Sequence, residues 1–181
     1  MRVIAGSFGG LTLRAPSGTE TRPTSDRVRE ALFSMLSALD PPAIAGARVL
    51  DLFAGSGALG IEALSRGASS AVFVDSAASA VEAIRANLAS VKATGELVRR
   101  PALAYLDAAV SAGHEYDLVF VDPPYRMASE LRGALSAALP AVLAAGARVV
   151  TESDKRDPLA LRLPVIRERH YGDTLITIHD A

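Results

Sequence analysis

The sequence predicts an α/β fold built on a mostly parallel sheet covered on both faces. Three observations lead there. From Arg48 onward, short apolar runs alternate with stretches of helical periodicity. The first of these runs feeds a glycine-rich turn, Gly55-Ser56-Gly57-Ala58-Leu59-Gly60. The last two β-type runs flank Gly172-Asp173, a hairpin turn that puts one antiparallel strand into the sheet.

The elements follow in order. Val3-Ile4 and Leu11–Leu13 read as short strands around Gly6, Gly9 and Gly10, so residues 1–24 form a small hairpin extension and 25–181 the main domain. Thr24 or Ser25 caps a helix whose apolar face is Val28, Leu32, Met35 and Leu39; Asp40-Pro41-Pro42 ends it. Strands are predicted over 49–53, 71–75, 96–99, 117–122, 147–151, 165–169 and 174–179. Between them lie helices after Gly57, along Val81, Ile84, Leu88 and Val91, and over 131–143. In such a sheet, ligands bind outside the carboxyl ends of the strands, near the switch in strand order.

Composition removes several classes of function. The 181 residues hold no apolar run of the ~18 residues that a membrane span needs, and Met1-Arg2-Val3-Ile4 does not open a signal peptide. Cysteine is absent, which excludes disulfides and thiolate metal sites, and His114, His170 and His179 lack ligand spacing. The expectation is a soluble cytoplasmic monomer with no structural metal. A net charge of −1 gives no global signal for nucleic acid. A small positive surplus does sit near the start, where Arg2, Arg14, Arg22, Arg27 and Arg29 face Glu20, Asp26 and Glu30.

Two strand ends carry chemistry. Gly55, Gly57 and Gly60 match a dinucleotide fingerprint, and Asp75 ends the next strand where an acid can accept ribose hydroxyls. Asp51, four residues before Gly55, separates two readings. A carboxylate there opposes a pyrophosphate at the helix N-terminus but suits the cationic end of an amino-acid-bearing cofactor. A cap or structural hydrogen bond is the other reading of Asp51. The second strand end is Asp122-Pro123-Pro124-Tyr125. Its prolines stiffen the loop and donate no N–H, so acceptors are held out beside an aromatic face. The Asp122 carboxylate and the Pro123 carbonyl can orient an exocyclic amine and stabilise the charge that develops on it, while Tyr125 stacks on a flipped-out base.

In this order the two motifs resemble the class I, S-adenosylmethionine-dependent methyltransferases that act on amino groups. Arg22-Pro23-Thr24-Ser25-Asp26-Arg27-Val28-Arg29-Glu30-Ala31-Leu32-Phe33, the opening Arg2–Gly6 and the ending Tyr171-Gly172-Asp173-Thr174 narrow the resemblance to the RsmD family, bacterial 16S ribosomal RNA guanine-N2 methyltransferases. The resemblance implies a seven-stranded Rossmann-like domain with S-adenosylmethionine as cofactor. It implies a guanine of 16S rRNA as substrate, presented in an assembled or assembling 30S subunit. It places Asp51, Phe53, Ala54, Gly55, Ser56, Gly57 and Thr24 around the methionine part of the cofactor, and Asp75, Ser76 and Ala102 around its nucleoside. Asp122, Pro123, Pro124 and Tyr125 would hold the base; Arg22, Arg27 and Arg29 would touch RNA. Read without the resemblance, Phe53, Tyr105 and Tyr116 are core residues. Many relatives carry Asp or Asn where this chain has Pro101, which leaves adenine to backbone groups around Ala102. The opening hairpin reads Gly9-Gly10-Leu11-Thr12 where relatives often have basic residues. The competing readings are an amino-methyltransferase acting on DNA or a protein glutamine, a silent ribosome-assembly module, and an NAD enzyme.

Overall fold

The computed structural model describes residues 1–17, 25–41, 43–124 and 127–181. Helix α1 (Asp26–Ser37) precedes β1 (Arg48–Leu52), α2 (Ala58–Ser65), β2 (Ser70–Asp75), α3 (Ala78–Val91) and β3 (Glu96–Arg99). Then come α4 (Ala102–Ser111), β4 (Tyr116–Val121), α5 (Ala128–Ala138), a 3-10 turn (Leu139–Val142), β5 (Leu143–Asp154), β6 (Val165–Tyr171) and β7 (Thr174–Asp180). The strands form one sheet in the order β3-β2-β1-β4-β5-β7-β6. All pairings are parallel except those of β7, which runs antiparallel to both β5 and β6. The predicted single antiparallel strand is therefore β7.

The buried strands read as continuous apolar runs because both sheet faces are covered. Val49, Phe73, Phe120, Val150, Ile176 and Ile178 point to the face packed by α1, α2 and α3, with Phe33 tilted against Phe120 at 5.7 Å. Leu50, Leu52, Val74, Val119, Val121 and Val149 point to the face packed by α4, α5 and the 3-10 turn. The Ser25 hydroxyl caps α1 by accepting the Val28 N–H at 3.3 Å. This places the N-cap at Ser25, one of the two expected residues; Thr24 lies outside the described residues.

Helix α4 was not expected. Its buried face is Ala102, Tyr105, Leu106 and Ala109, in which alanine blurs the apolar periodicity. The expected helix over 131–143 stops at Ala138, because Pro140 cannot continue it, and β5 begins already at Leu143.

The N-terminal extension is a minimal antiparallel ribbon, with Val3 N–H donating to Leu11 at 2.9 Å and Leu13 N–H to Met1 at 3.0 Å. Buried Glu62 of α2 binds it, accepting N–H groups of Ile4 at 2.7 Å and Ala5 at 3.1 Å. Asn87 of α3 grips its far end, accepting Arg14 N–H at 2.8 Å and donating to the Arg14 carbonyl at 2.9 Å. Among the described residues no helix is long and apolar enough to cross a membrane.

Candidate active site

The strand order reverses between β1 and β4, so the carboxyl ends of β1, β2, β4 and β5 frame the switch point. The sequence-predicted residues Asp51, Asp75 and Asp122 all meet there.

Asp51 sits on β1 and is buried. Its carboxylate accepts the Gly60 N–H at 2.9 Å, within the first turn of α2. That contact requires glycine: a Cβ on Gly60 would lie 2.3 Å from Cε1 of Phe73. Burial, which outweighs the Gly60 bond, together with the nearby Asp75 charge pushes the Asp51 pKa up to about 8. The structural hydrogen bond weighed for Asp51 is thus present, and the acid is also poised to meet a cation.

The turn after β1 is sharply bent. Phe53, Gly55 and Gly57 have φ of 60°, 56° and 76°, and only glycine adopts such values without cost. Phe53 bears that cost where it lines a cavity of ≈130 Å³ with Val74, Asp75, Ser76, Pro101 and Ala102. Pro101 is the N-cap of α4, so the cavity abuts N–H groups of the first helical turn that have no intrahelical acceptor. Asp75 closes the turn from the side. One carboxylate oxygen accepts Gly55 N–H and the other accepts Ala77 N–H, both at 2.9 Å. Each oxygen retains a second acceptor position. Asn87 secures the same turn by donating to the Ser56 carbonyl at 2.8 Å. The sequence reading missed Asn87, because one polar residue on a helix looks like solvent face.

Asp122 continues β4 past Val121 and is half-buried, Pro123 is buried and Pro124 is exposed. Val121 pairs with Thr151, so Glu152 is the cross-strand neighbour of Asp122. Asp122 and Glu152 extend the alternation of Phe120 and Val150, on the face that also holds Asp51. Burial raises the Asp122 pKa well above the usual carboxylate range, and the charges of Glu152 and Asp51 raise it further. Glu152 lies one residue past the strand expected over 147–151 and is a residue the sequence reading missed; an acid directly after Val149-Val150-Thr151 was the available signal.

Tyr125, Arg22 and Thr24 lie outside the described residues. Arg27 is exposed on α1. Arg29 is a correction. It is fully buried, donates to Asp26 at 2.7 Å and also to the Arg2 carbonyl, so it ties α1 to the extension and is not presented to RNA. Tyr105 and Tyr116 are buried and hydrogen-bonded to each other, as core residues. No group of three or more histidine or acidic residues suited to a metal occurs among the described residues.

Residues 1–180 match the family model described as conserved hypothetical protein 95. The chain is 44% identical over 128 residues to the "Putative rRNA methyltransferase YlbH" of Bacillus subtilis, covering 70% of this chain and 67% of that one. It is 42% identical over 127 residues to the ribosomal RNA small subunit methyltransferase D of Escherichia coli K12, covering 70% and 61%. The match therefore spans about two thirds of these relatives' own length. Among solved structures, the "Putative methyltransferase yhhF" of Escherichia coli superposes with a TM-score of 0.81 at 34% identity, covering 99% of this chain and 97% of that one. The chain belongs to this family, the RsmD family, and has the Rossmann-like α/β fold of the S-adenosylmethionine-dependent methyltransferases.

Proposed function

We propose that the chain transfers the methyl group of S-adenosylmethionine to the exocyclic N2 of a guanine in small-subunit ribosomal RNA, within an assembled or assembling particle in the cytoplasm. The observation that carries this reading is the Asp122-Pro123 strand end, set across the switch point from the Asp51 and Asp75 turn. The names of the relatives support the rRNA part; the geometry supports the amine part.

The residues present fit the cofactor. A cavity beside Asp75 and the N-terminus of α4 suits the flat base of a nucleoside, with Asp75 accepting ribose hydroxyls through its remaining lone pairs. Asp51 suits the ammonium of the methionine part, whose charge would favour its ionised form. When bound, the cofactor supplies a methyl group already activated on a sulfonium. The chain then has to bring an amine in line with it. An aryl amine is a poor nucleophile because its lone pair is delocalised into the ring. Acceptance of its two hydrogens by the Asp122 carboxylate and the Pro123 carbonyl orients that lone pair and stabilises the developing positive charge. Asp122 must be ionised for this.

Purified protein, labelled S-adenosylmethionine and small subunits from a strain lacking the endogenous enzyme test the reading. N2-methylguanosine in the digested RNA is the expected product. Label confined to DNA, to protein or to another nucleoside would overturn the substrate. Tight binding of NADH without binding of S-adenosylhomocysteine would overturn the cofactor.

A further inference from the structure

We propose that Glu152 reads the Watson–Crick edge of the target guanine, accepting its N1–H while Asp122 and the Pro123 carbonyl hold the N2 amine. The inference rests on the guanine-N2 reading above and names the residue that selects that base.

Placement comes first. Glu152 is 6% exposed and lies on the sheet face that carries Val150 and Ile176, one strand over from Asp122. Neighbouring strands are about 4.8 Å apart, so a planar base edge held at Asp122 extends over the end of β5. Two carboxylates side by side in a partly dry site repel each other. A row of donors on an incoming base can face both acids at once, beside the contacts that Glu152 makes within the chain.

Base chemistry comes second. Guanine presents N1–H directly beside its exocyclic amine, a contiguous row of donors. Adenine has the acceptor N1 beside its N6 amine, and cytosine has the acceptor N3 beside its N4 amine. An ionised Glu152 attracts the first arrangement and repels the other two. An amine held at Asp122 alone would not separate the three bases. Rejection by a misplaced charge is the stronger half of such selectivity. An ionised carboxylate offers about four acceptor positions, so contacts of Glu152 within the chain are compatible with holding a base.

The test uses small-subunit particles assembled on RNA in which 2-aminopurine replaces the methylated guanine. 2-Aminopurine keeps the amine at C2 and turns N1 from a donor into an acceptor. Wild-type protein should show kcat/KM at least about tenfold lower on the 2-aminopurine particle, because a buried carboxylate then faces a lone pair. Glu152→Gln should shrink that ratio about fivefold or more, since its amide can donate to N1. Its affinity for S-adenosylhomocysteine should stay at the wild-type value, which reports an intact fold. Equal wild-type rates on both particles would overturn the inference, as would an unchanged ratio in Glu152→Gln. If that variant fails to fold, the wild-type ratio alone decides. Absence of N2-methylguanosine on unaltered particles would instead sink the guanine-N2 reading itself.

Discussion

On the β1–β2 side of the carboxyl edge, backbone N–H groups of the glycine turn and the two helix starts bind the acids. Asp51 accepts Gly60 N–H, and Asp75 accepts Gly55 and Ala77 N–H, all at 2.9 Å. On the β4–β5 side, Asp122 and Glu152 lie next to each other, and the Asp122 carboxyl is pushed well above its usual range. The first side is organised by the chain's own backbone before any ligand arrives. On the second, the neighbouring charge of Glu152 and burial act together on Asp122. Under the proposed function, the backbone-organised side serves a constant cofactor and the adjacent acids of the other side serve a particular amine.

Four outcomes would break or sharpen that contrast. The largest concerns the preorganised side. Gly60→Val should destabilise the fold by about 3 kcal/mol in chemical denaturation and abolish binding of S-adenosylhomocysteine, because the added atoms meet Phe73 and Asp51. A fully stable variant that binds normally would show that the turn is not rigid. Next, Asp75→Ala should weaken S-adenosylhomocysteine by about 10- to 100-fold in calorimetry, since charged hydrogen bonds are lost. Unaltered affinity would remove Asp75 from the ribose. Asn87→Ala leaves the Ser56 carbonyl and the Arg14 amide without their buried partner, so unfolding should cost about 1–2 kcal/mol less. No loss of stability would mean that Glu62, Ser65 and Arg29 hold the extension without Asn87.

The smallest effect is a shift in pH dependence. Asp122 is raised by burial, Glu152 and Asp51, and it must be ionised to accept an amine. Single-turnover transfer should therefore fall as pH drops through the Asp122 pKa, on an acid limb above the ordinary carboxylate value of 3.8. Glu152→Gln removes one of the two neighbouring charges, so the limb should move to lower pH. A limb that stays in place would break the coupling between the two acids.

The strand ends were legible in the sequence because their chemistry is contiguous: Asp51 to Gly60 and Asp122 to Tyr125 are each one short segment. The central strands β1, β2 and β4 were legible for a similar reason, since buried strands are largely unbroken apolar runs; the exposed edge strand β6 was legible instead from the hairpin turn Gly172-Asp173 that joins it to β7. Partners far apart along the chain were not. Asn87 joins Arg14 and Ser56 across 73 and 31 positions, and Glu62 joins Ile4 across 58. Nothing local to a helix marks such a residue as buried. Arg29 was misread for the same reason: one turn of an amphipathic helix looks exposed until the extension folds over it. Helix α4 was lost because alanine supplies much of its buried face.

The most direct measurement takes Asp122→Ala and reads two quantities from one preparation: affinity for S-adenosylhomocysteine, and the single-turnover rate of methyl transfer to unmethylated small subunits. The contrast between the two sides predicts a rate about 10²- to 10³-fold lower with wild-type cofactor affinity. A rate unchanged, or a rate and an affinity that fall together, would contradict it.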